Sequence, residues 1–200
     1  LDEFSVMPLT HPKEMGEQMN SIVSKLNQSA FYKSLFFKSF QDSVITKEKL
    51  LKSLSQFLLT LVSYNAKYDS VMRKQALFTK QESNGYQIFK ANCNVCHQEP
   101  LFTNFSFQNN GLPIDSTLND YGRFLVTQNS VDSFLFKVPT LRNIEYTFPY
   151  MHDGRFKKLS EIINHYNSGI ISSQTLSSSL KKKMSLTTND KIDLIAFLLT

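Results

Sequence analysis

Apolar positions recur at helical spacing through most of the chain. Met15, Met19, Ile22, Val23 and Leu26 follow one another in steps of one to four residues, and Thr10-His11-Pro12 before them reads as a helix start. A second helix is expected from Ser29 to about Phe40, burying Phe31, Leu35 and Phe36. A third opens near Thr46 and carries Leu50, Leu51, Leu54, Leu58, Leu61 and Val62. The methionines and phenylalanines on these faces read as core, not as cofactor ligands.

Tyr64 to Phe78 lacks a sustained period and reads as a transition between two units. Thr79 and Glu82 then stand at capping-box spacing, and the helix they start turns Tyr86, Ile88 and Phe89 inward. From Gln98 to Lys137 no period holds, while Asn, Gly, Phe and Thr are plentiful; so long a loop in a compact protein is usually functional. Val138 to Asn143 is an extended approach to a turn. A helix from about Ser160 to Asn167 carries Ile162, Ile163 and Tyr166, with Gly169 as its stop. Ser172 to Ser185 reads as a surface loop with Lys181, Lys182 and Lys183 solvated, and Thr188 or Asn189 caps a last helix holding Ile192, Ile195 and Leu198. The pattern predicts a mainly α protein without internal repeats.

The hydrophobic content of 41% is enough for a core in one domain or two small ones, and excludes a disordered chain. No apolar run reaches membrane-spanning length, and no signal peptide is visible. The chain opens on Leu1 and closes on Thr200 inside the expected last helix, so both ends are expected to be cut. The net charge of +5 would suit an acidic partner but reads more simply as a solvated surface, and nothing points to nucleic acid.

Candidate chemistry centres on Cys93-Asn94-Val95-Cys96-His97, a C-x-x-C-H. Two thiols at this spacing can add to the two vinyl groups of one porphyrin, and the adjacent imidazole then becomes an axial ligand of the iron. A zinc site would need further ligands, yet the chain has two cysteines in all and no second Cys/His pair at zinc spacing. A thioredoxin-like pair would follow a hydrophobic strand, whereas this motif follows a helical segment. The residues therefore point to covalent haem c, with His97 as the proximal iron ligand. Attachment of that kind takes place outside the cytoplasm, so an exported, periplasmic location is expected. On the distal side Met151, His152, His165, Tyr166 and Met184 are all candidates, and Met151 alone would be the natural choice because Met/His ligation is common in cytochromes c.

Phe136-Lys137-Val138-Pro139-Thr140-Leu141-Arg142-Asn143, followed by Pro149-Tyr150-Met151-His152-Asp153-Gly154-Arg155-Phe156 and Leu159, closely resembles the bacterial dihaem cytochrome c peroxidase family. That family also holds the methylamine dehydrogenase maturation enzyme, MauG. Asn110-Gly111-Leu112, Pro12-Lys13-Glu14-Met15-Gly16 and Ser63-Tyr64-Asn65-Ala66-Lys67-Tyr68-Asp69 also look like family signatures. The resemblance implies two cytochrome-c-like domains. Residues 1–67 would be the C-terminal part of the peroxidatic domain, and residues 68–200 the electron-transfer haem domain. It also implies a second haem upstream, because the first haem motif of the family is absent here.

The implied activity is an oxidoreductase that reduces hydrogen peroxide, with the His97 haem relaying electrons or holding an oxidising equivalent. Its electron donor would be a small redox protein or a protein substrate, and a homodimer is allowed. By the same resemblance Tyr166 is favoured over Met151 as distal ligand. A phenolate is a hard anionic donor that lowers the potential and stabilises ferric iron. Glu14 matches the glutamate that assists peroxide cleavage by proton transfer, although by itself it is an ordinary first-turn carboxylate. A glutamine expected near that glutamate is replaced by Phe4. Arg142, with Lys137 and Arg123, would suit haem propionates, and the backbone oxygens of Thr147 and Pro149 map to calcium ligands. A non-enzymatic monohaem electron carrier is the rival reading.

Overall fold

Short amphipathic segments separated by Pro, Gly and Ser turns can bury their apolar faces only by folding back on one another. The computed structural model describes residues 1–200, in two units, Leu1–Val62 and Ser63–Thr200. The division falls five residues before the expected one at Lys67, because Ser63 and Tyr64 already bond into the second unit: Arg142 donates to the Ser63 carbonyl and Arg73 to the Tyr64 carbonyl.

The first unit holds α1 (Asp2–Thr10), α2 (Met19–Gln28), α3 (Ala30–Phe40) and α4 (Lys47–Thr60). The chain stops being helical at Thr10, where a start was expected. Pro8 lies inside α1, and His11 to Met15 form a turn closed by Glu14 N donating to His11 O and Gly16 N to the same carbonyl. Glu14 therefore sits in an exposed turn and not in a first helical turn. Thr46 caps α4 as its side chain accepts from Lys49 N, and α4 packs on α1, where Ser55 donates to Asp2. Asn27 pins the buried Ile45 like a strand partner, giving Nδ2 to its carbonyl at 2.7 Å and taking its amide at 3.0 Å. Of the three residues expected inside from α3, only Phe36 is buried; Phe31 and Leu35 are exposed, since the short helix turns one narrow face inward.

The second unit is built on α6 (Lys80–Asn92) and α9 (Thr188–Leu198), which cross at close range. Gly85 makes the approach possible: a Cβ at that position would lie 2.0 Å from the Asp193 carbonyl oxygen. Both helices are fixed at their starts by reciprocal capping, Thr79 with Glu82 and Thr187 with Asp190. Their shared face, with α8 (Leu159–Asn164), forms a core of Tyr68, Phe89, Phe102, Ile163, Leu194 and Phe197. The expected transition 64–78 contains a further helix, α5 (Lys67–Met72), too short to show a period. Within the long loop lie α7 (Phe124–Thr127) and a two-stranded antiparallel ladder, β1 (Phe107–Gln108) with β2 (Phe136–Lys137), which closes the loop at its base. The last helix ends at Leu198, two residues before Thr200.

Candidate haem site

The C-x-x-C-H motif forms a tight turn at the end of α6. Cys93 and Asn94 donate their amides to the Phe89 carbonyl, then Cys96 and His97 donate to the Cys93 carbonyl. The following loop holds this turn in place, as Asn104 donates its amide to Cys96 O at 2.9 Å and its side chain to Val95 O at 3.1 Å. Both cysteines are free thiols. Burial, helped by the neighbouring Cys96, pushes the Cys93 thiol up to about 12, far from the activated thiolate that a redox or nucleophilic cysteine needs.

His97 is oriented by two backbone carbonyls. Its Nδ1 lies 3.2 Å from Phe102 O and 3.1 Å from Pro139 O, so the ring proton belongs on Nδ1 and the Nε2 lone pair is left for a metal. Burial lowers the pKa of His97 against the pull of those carbonyls, which keeps the ring neutral. Pro139 reaches this position because Thr103 Oγ1 donates to Val138 O and Thr140 Oγ1 to Leu101 O, both at 2.6 Å. Two unpaired thiols and an imidazole with one free nitrogen are the donor set that haem c requires.

Across from the motif, α8 passes into a π-helical turn, His165–Gly169. Such turns swing a side chain out of helical register and are frequent at functional sites. Tyr166 lies in this one. Burial pushes its hydroxyl up to about 12, opposed by a hydrogen bond with Asn110, while Cys93 and Cys96 act on it electrostatically. The Tyr166 hydroxyl thus lies within electrostatic reach of both cysteines.

Asn110 organises that side. Its carbonyl lies 3.0 Å from His165 Nε2, its Nδ2 donates to Met151 Sδ at 3.4 Å, and its Oδ1 accepts from Leu112 N. His165 is thereby tied into the fold, and His152 is exposed with its ring stacked on Phe136 at 3.7 Å. Met151 takes a left-handed backbone conformation, φ 70°, with its sulfur held by Asn110.

The other expected site residues lie elsewhere. All five N–H donors of Arg142 are committed within the chain, to both oxygens of Asp69, to Pro100 O twice and to Ser63 O. None is left for a propionate, which corrects that expectation. Arg123 stacks on Phe107 and pairs with Asp132, and Lys137 lies over Phe105. Thr147 and Pro149 stand in an exposed turn, and no backbone amide donates to either carbonyl. Sequence reasoning missed Asp69 as the partner of Arg142 and the carbonyls that aim His97. Asn110 was marked only as part of a family signature.

A family model described as di-haem cytochrome c peroxidase matches residues 1–77. The methylamine utilization protein MauG of Methylophilus methylotrophus is 35% identical over 205 residues, taking in 99% of this chain and 60% of that protein. The chain belongs to the MauG/dihaem cytochrome c peroxidase family. Cytochrome c551 peroxidase of Nitrosomonas europaea is 36% identical over 171 residues, 82% of this chain and 50% of that protein. Among solved structures, a MauG-like protein associated with microbial copper homeostasis superposes with a TM-score of 0.83 at 28% identity, covering 99% of this chain and 67% of that one. The diheme peroxidase BthA from Burkholderia thailandensis shares the fold, with a TM-score of 0.78 at 19% identity. The chain thus spans between half and two thirds of these family members. Haem c is the cofactor of the family, and the donor set described above suits it.

Proposed function

We propose that this chain supplies the electron-transfer haem unit, and the end of the peroxidatic unit, of a dihaem peroxidase that reduces hydrogen peroxide to water. The observation that carries this reading is His97, held with Nδ1 on two carbonyls and Nε2 free beside Cys93 and Cys96. Cys93 and Cys96 would bind the haem covalently, and His97 and Tyr166 would ligate its iron. A bound haem supplies reversible one-electron change at iron. The chain's own residues orient the imidazole, bury Phe89 and Phe102 beside the motif, and would offer a phenol rather than a thioether to the iron.

Glu14 is assigned the acid–base role in the first unit. An exposed carboxylate without an ion-pair partner can take a proton from one oxygen of peroxide and return it to the other. The second haem of the family, hydrogen peroxide and a small redox protein or protein substrate complete the reaction. Calcium at Thr147 and Pro149 belongs to the same proposal. Covalent haem attachment would put the protein in the periplasm or another exported compartment.

The test is maturation of the chain in cells that attach haem c, followed by intact mass and optical spectra. A gain of one haem, abolished by replacing Cys93 and Cys96 with Ala, is the expected result. A stable, folded chain that gains none would overturn the reading.

A further inference from the structure

The lysine-bearing loop 172–185, expected to be simply solvated, is fastened beside the haem motif. Ser179 Oγ lies 3.9 Å from Cys96 Sγ and 2.9 Å from Ser177 Oγ. Upstream the buried Asn109 ties the loop down, accepting the Ser177 amide on its carbonyl at 3.1 Å and donating its side-chain amide to Ser173 and Thr175. Downstream Leu186 N donates to Asn167 Oδ1 at 2.8 Å. Between these ties stand Lys181, Lys182 and Lys183, all exposed. Lys181 follows Ser179 by two residues, so their Cα atoms are at most about 8 Å apart. None of the three lysines enters an ion pair with a carboxylate. From Lys157 to Asn189 there are five lysines and one acidic residue, Glu161, so four of the chain's five net positive charges lie in this stretch. Adjacent ammonium groups repel one another, and no contact within the fold offsets that here. Exposed apolar side chains also border the motif: Val95 is 57% exposed and Phe105 56%. Asn104 links them, preceding Phe105 and donating its side-chain amide to Val95 O, and Lys137 Nζ lies 5.1 Å from the Phe105 ring centroid.

We propose that Lys181, Lys182 and Lys183, with Lys137 and the exposed Val95 and Phe105, form the docking surface for an acidic electron-donor protein, held beside Cys96. The lysines steer a carboxylate-rich face toward the motif, and the apolar pair supplies the short-range contact. An apolar centre with a charged rim is the build of a transient protein contact. Steering of this kind speeds encounter and is screened by salt over about 8 Å at physiological ionic strength. A donor seated there stands next to a cysteine that would carry the haem. A basic donor is repelled by the same three lysines, so the surface selects its partner by charge.

The inference rests on the haem assignment above, and its test separates the two. The probe is plant-type ferredoxin, a small acidic iron–sulfur protein. Its binding to the haem-loaded chain is titrated by calorimetry at several salt concentrations, and the contact is mapped by carbodiimide cross-linking of lysine to carboxylate. Haem reduction by the reduced ferredoxin is followed by stopped flow. The wild type should lose roughly tenfold or more in affinity between about 10 and 200 mM salt, with cross-links concentrated on Lys181, Lys182, Lys183 and Lys137. The K181Q/K182Q/K183Q variant should bind and be reduced roughly tenfold more weakly and slowly at low salt, with a shallower salt dependence. A K33Q/K38Q/K52Q variant removes the same charge from exposed sites of the first unit and should stay near wild type. A neutral hydroquinone should reduce all three proteins alike. Absence of ferredoxin binding, equal losses in the two triple variants, or cross-links confined to other lysines would overturn the surface. Calorimetry and cross-linking do not depend on haem, so a chain that takes up none overturns the haem assignment while the surface is still judged by its binding.

Discussion

Arg142 grips Asp69 through two parallel hydrogen bonds of 2.8 Å each, across 73 residues of sequence. The contact joins α5, at the start of the haem unit, to the turn that follows Pro139, and Pro139 aims His97. The two side chains are 13% and 11% exposed, so the pair is largely withdrawn from solvent. Replacing Asp69 by Asn leaves the cap on Ala66 feasible but strands the guanidinium. Breaking a pair of this kind costs about 3–5 kcal/mol when fully buried, and about 2–3 kcal/mol is expected at this exposure, read as a lowered denaturation midpoint.

The same pair sets an acid limit. Hydrogen bonding from Arg142 holds the Asp69 carboxyl below its ordinary value. A depressed folded-state value means that the stabilisation is complete above the unfolded pKa of about 3.9 and fades as pH falls through the folded value. Wild-type stability should therefore decline below about pH 4, whereas D69N should show a flatter profile over that range. Urea titrations at several pH values measure this directly.

Gly85 should tolerate no side chain. A Cβ would meet the Asp193 carbonyl oxygen at 2.0 Å and its carbon at 2.6 Å, and these are backbone atoms of α9 that cannot rotate away. Gly85→Ala should separate the two helices and cost about 3 kcal/mol, the upper end of overpacking penalties, despite the better helix propensity of alanine. Thermal unfolding of the haem-loaded chain is the measurement.

Tyr166 and Met151 make opposite predictions for the iron. If the phenol is the ligand, Tyr166→Met should raise the haem potential and change the ferric spectrum, while Met151→Leu should leave both near wild type. Potentiometric titration of the two variants distinguishes the outcomes. A Met151→Leu variant with an altered ligand-field spectrum would transfer the role to the thioether.

Peroxide turnover should need more than this chain. With one haem motif and about half to two thirds of its relatives' length, the haem-loaded chain is expected to turn over hydrogen peroxide far more slowly than a full-length relative. Parallel assays with a common electron donor test it.

What could be read beforehand was local in origin. Thr79 and Glu82 announced α6 because a capping box is written within four residues, and the C-x-x-C-H motif announced its own chemistry. The helix carrying Tyr166 was visible from its period, but its π-helical end was not, since that register shift depends on what the turn packs against. Arg142 was assigned to propionates because a free guanidinium suits them. Its actual partners, Asp69, Ser63 and Pro100, are distant in sequence, and although Ser63 and Asp69 lie in a stretch that looks like a family signature, nothing in it ties them to Arg142. The buried face of α3 was overestimated for a related reason: Phe31 and Leu35 look like core by composition, yet exposure is decided by neighbours that periodicity does not name.

The crossing of α6 and α9 imposes an order on assembly. Asn84 of the first helix bonds Asp193 of the second over 109 residues, so a ribosome has made the cysteine motif long before the helix that packs behind it exists. Contacts of such long range form late. Until α9 docks, the helix bearing Cys93 lacks its main support, so damage to α9 is expected to loosen the cysteine turn at the far end of α6 as well.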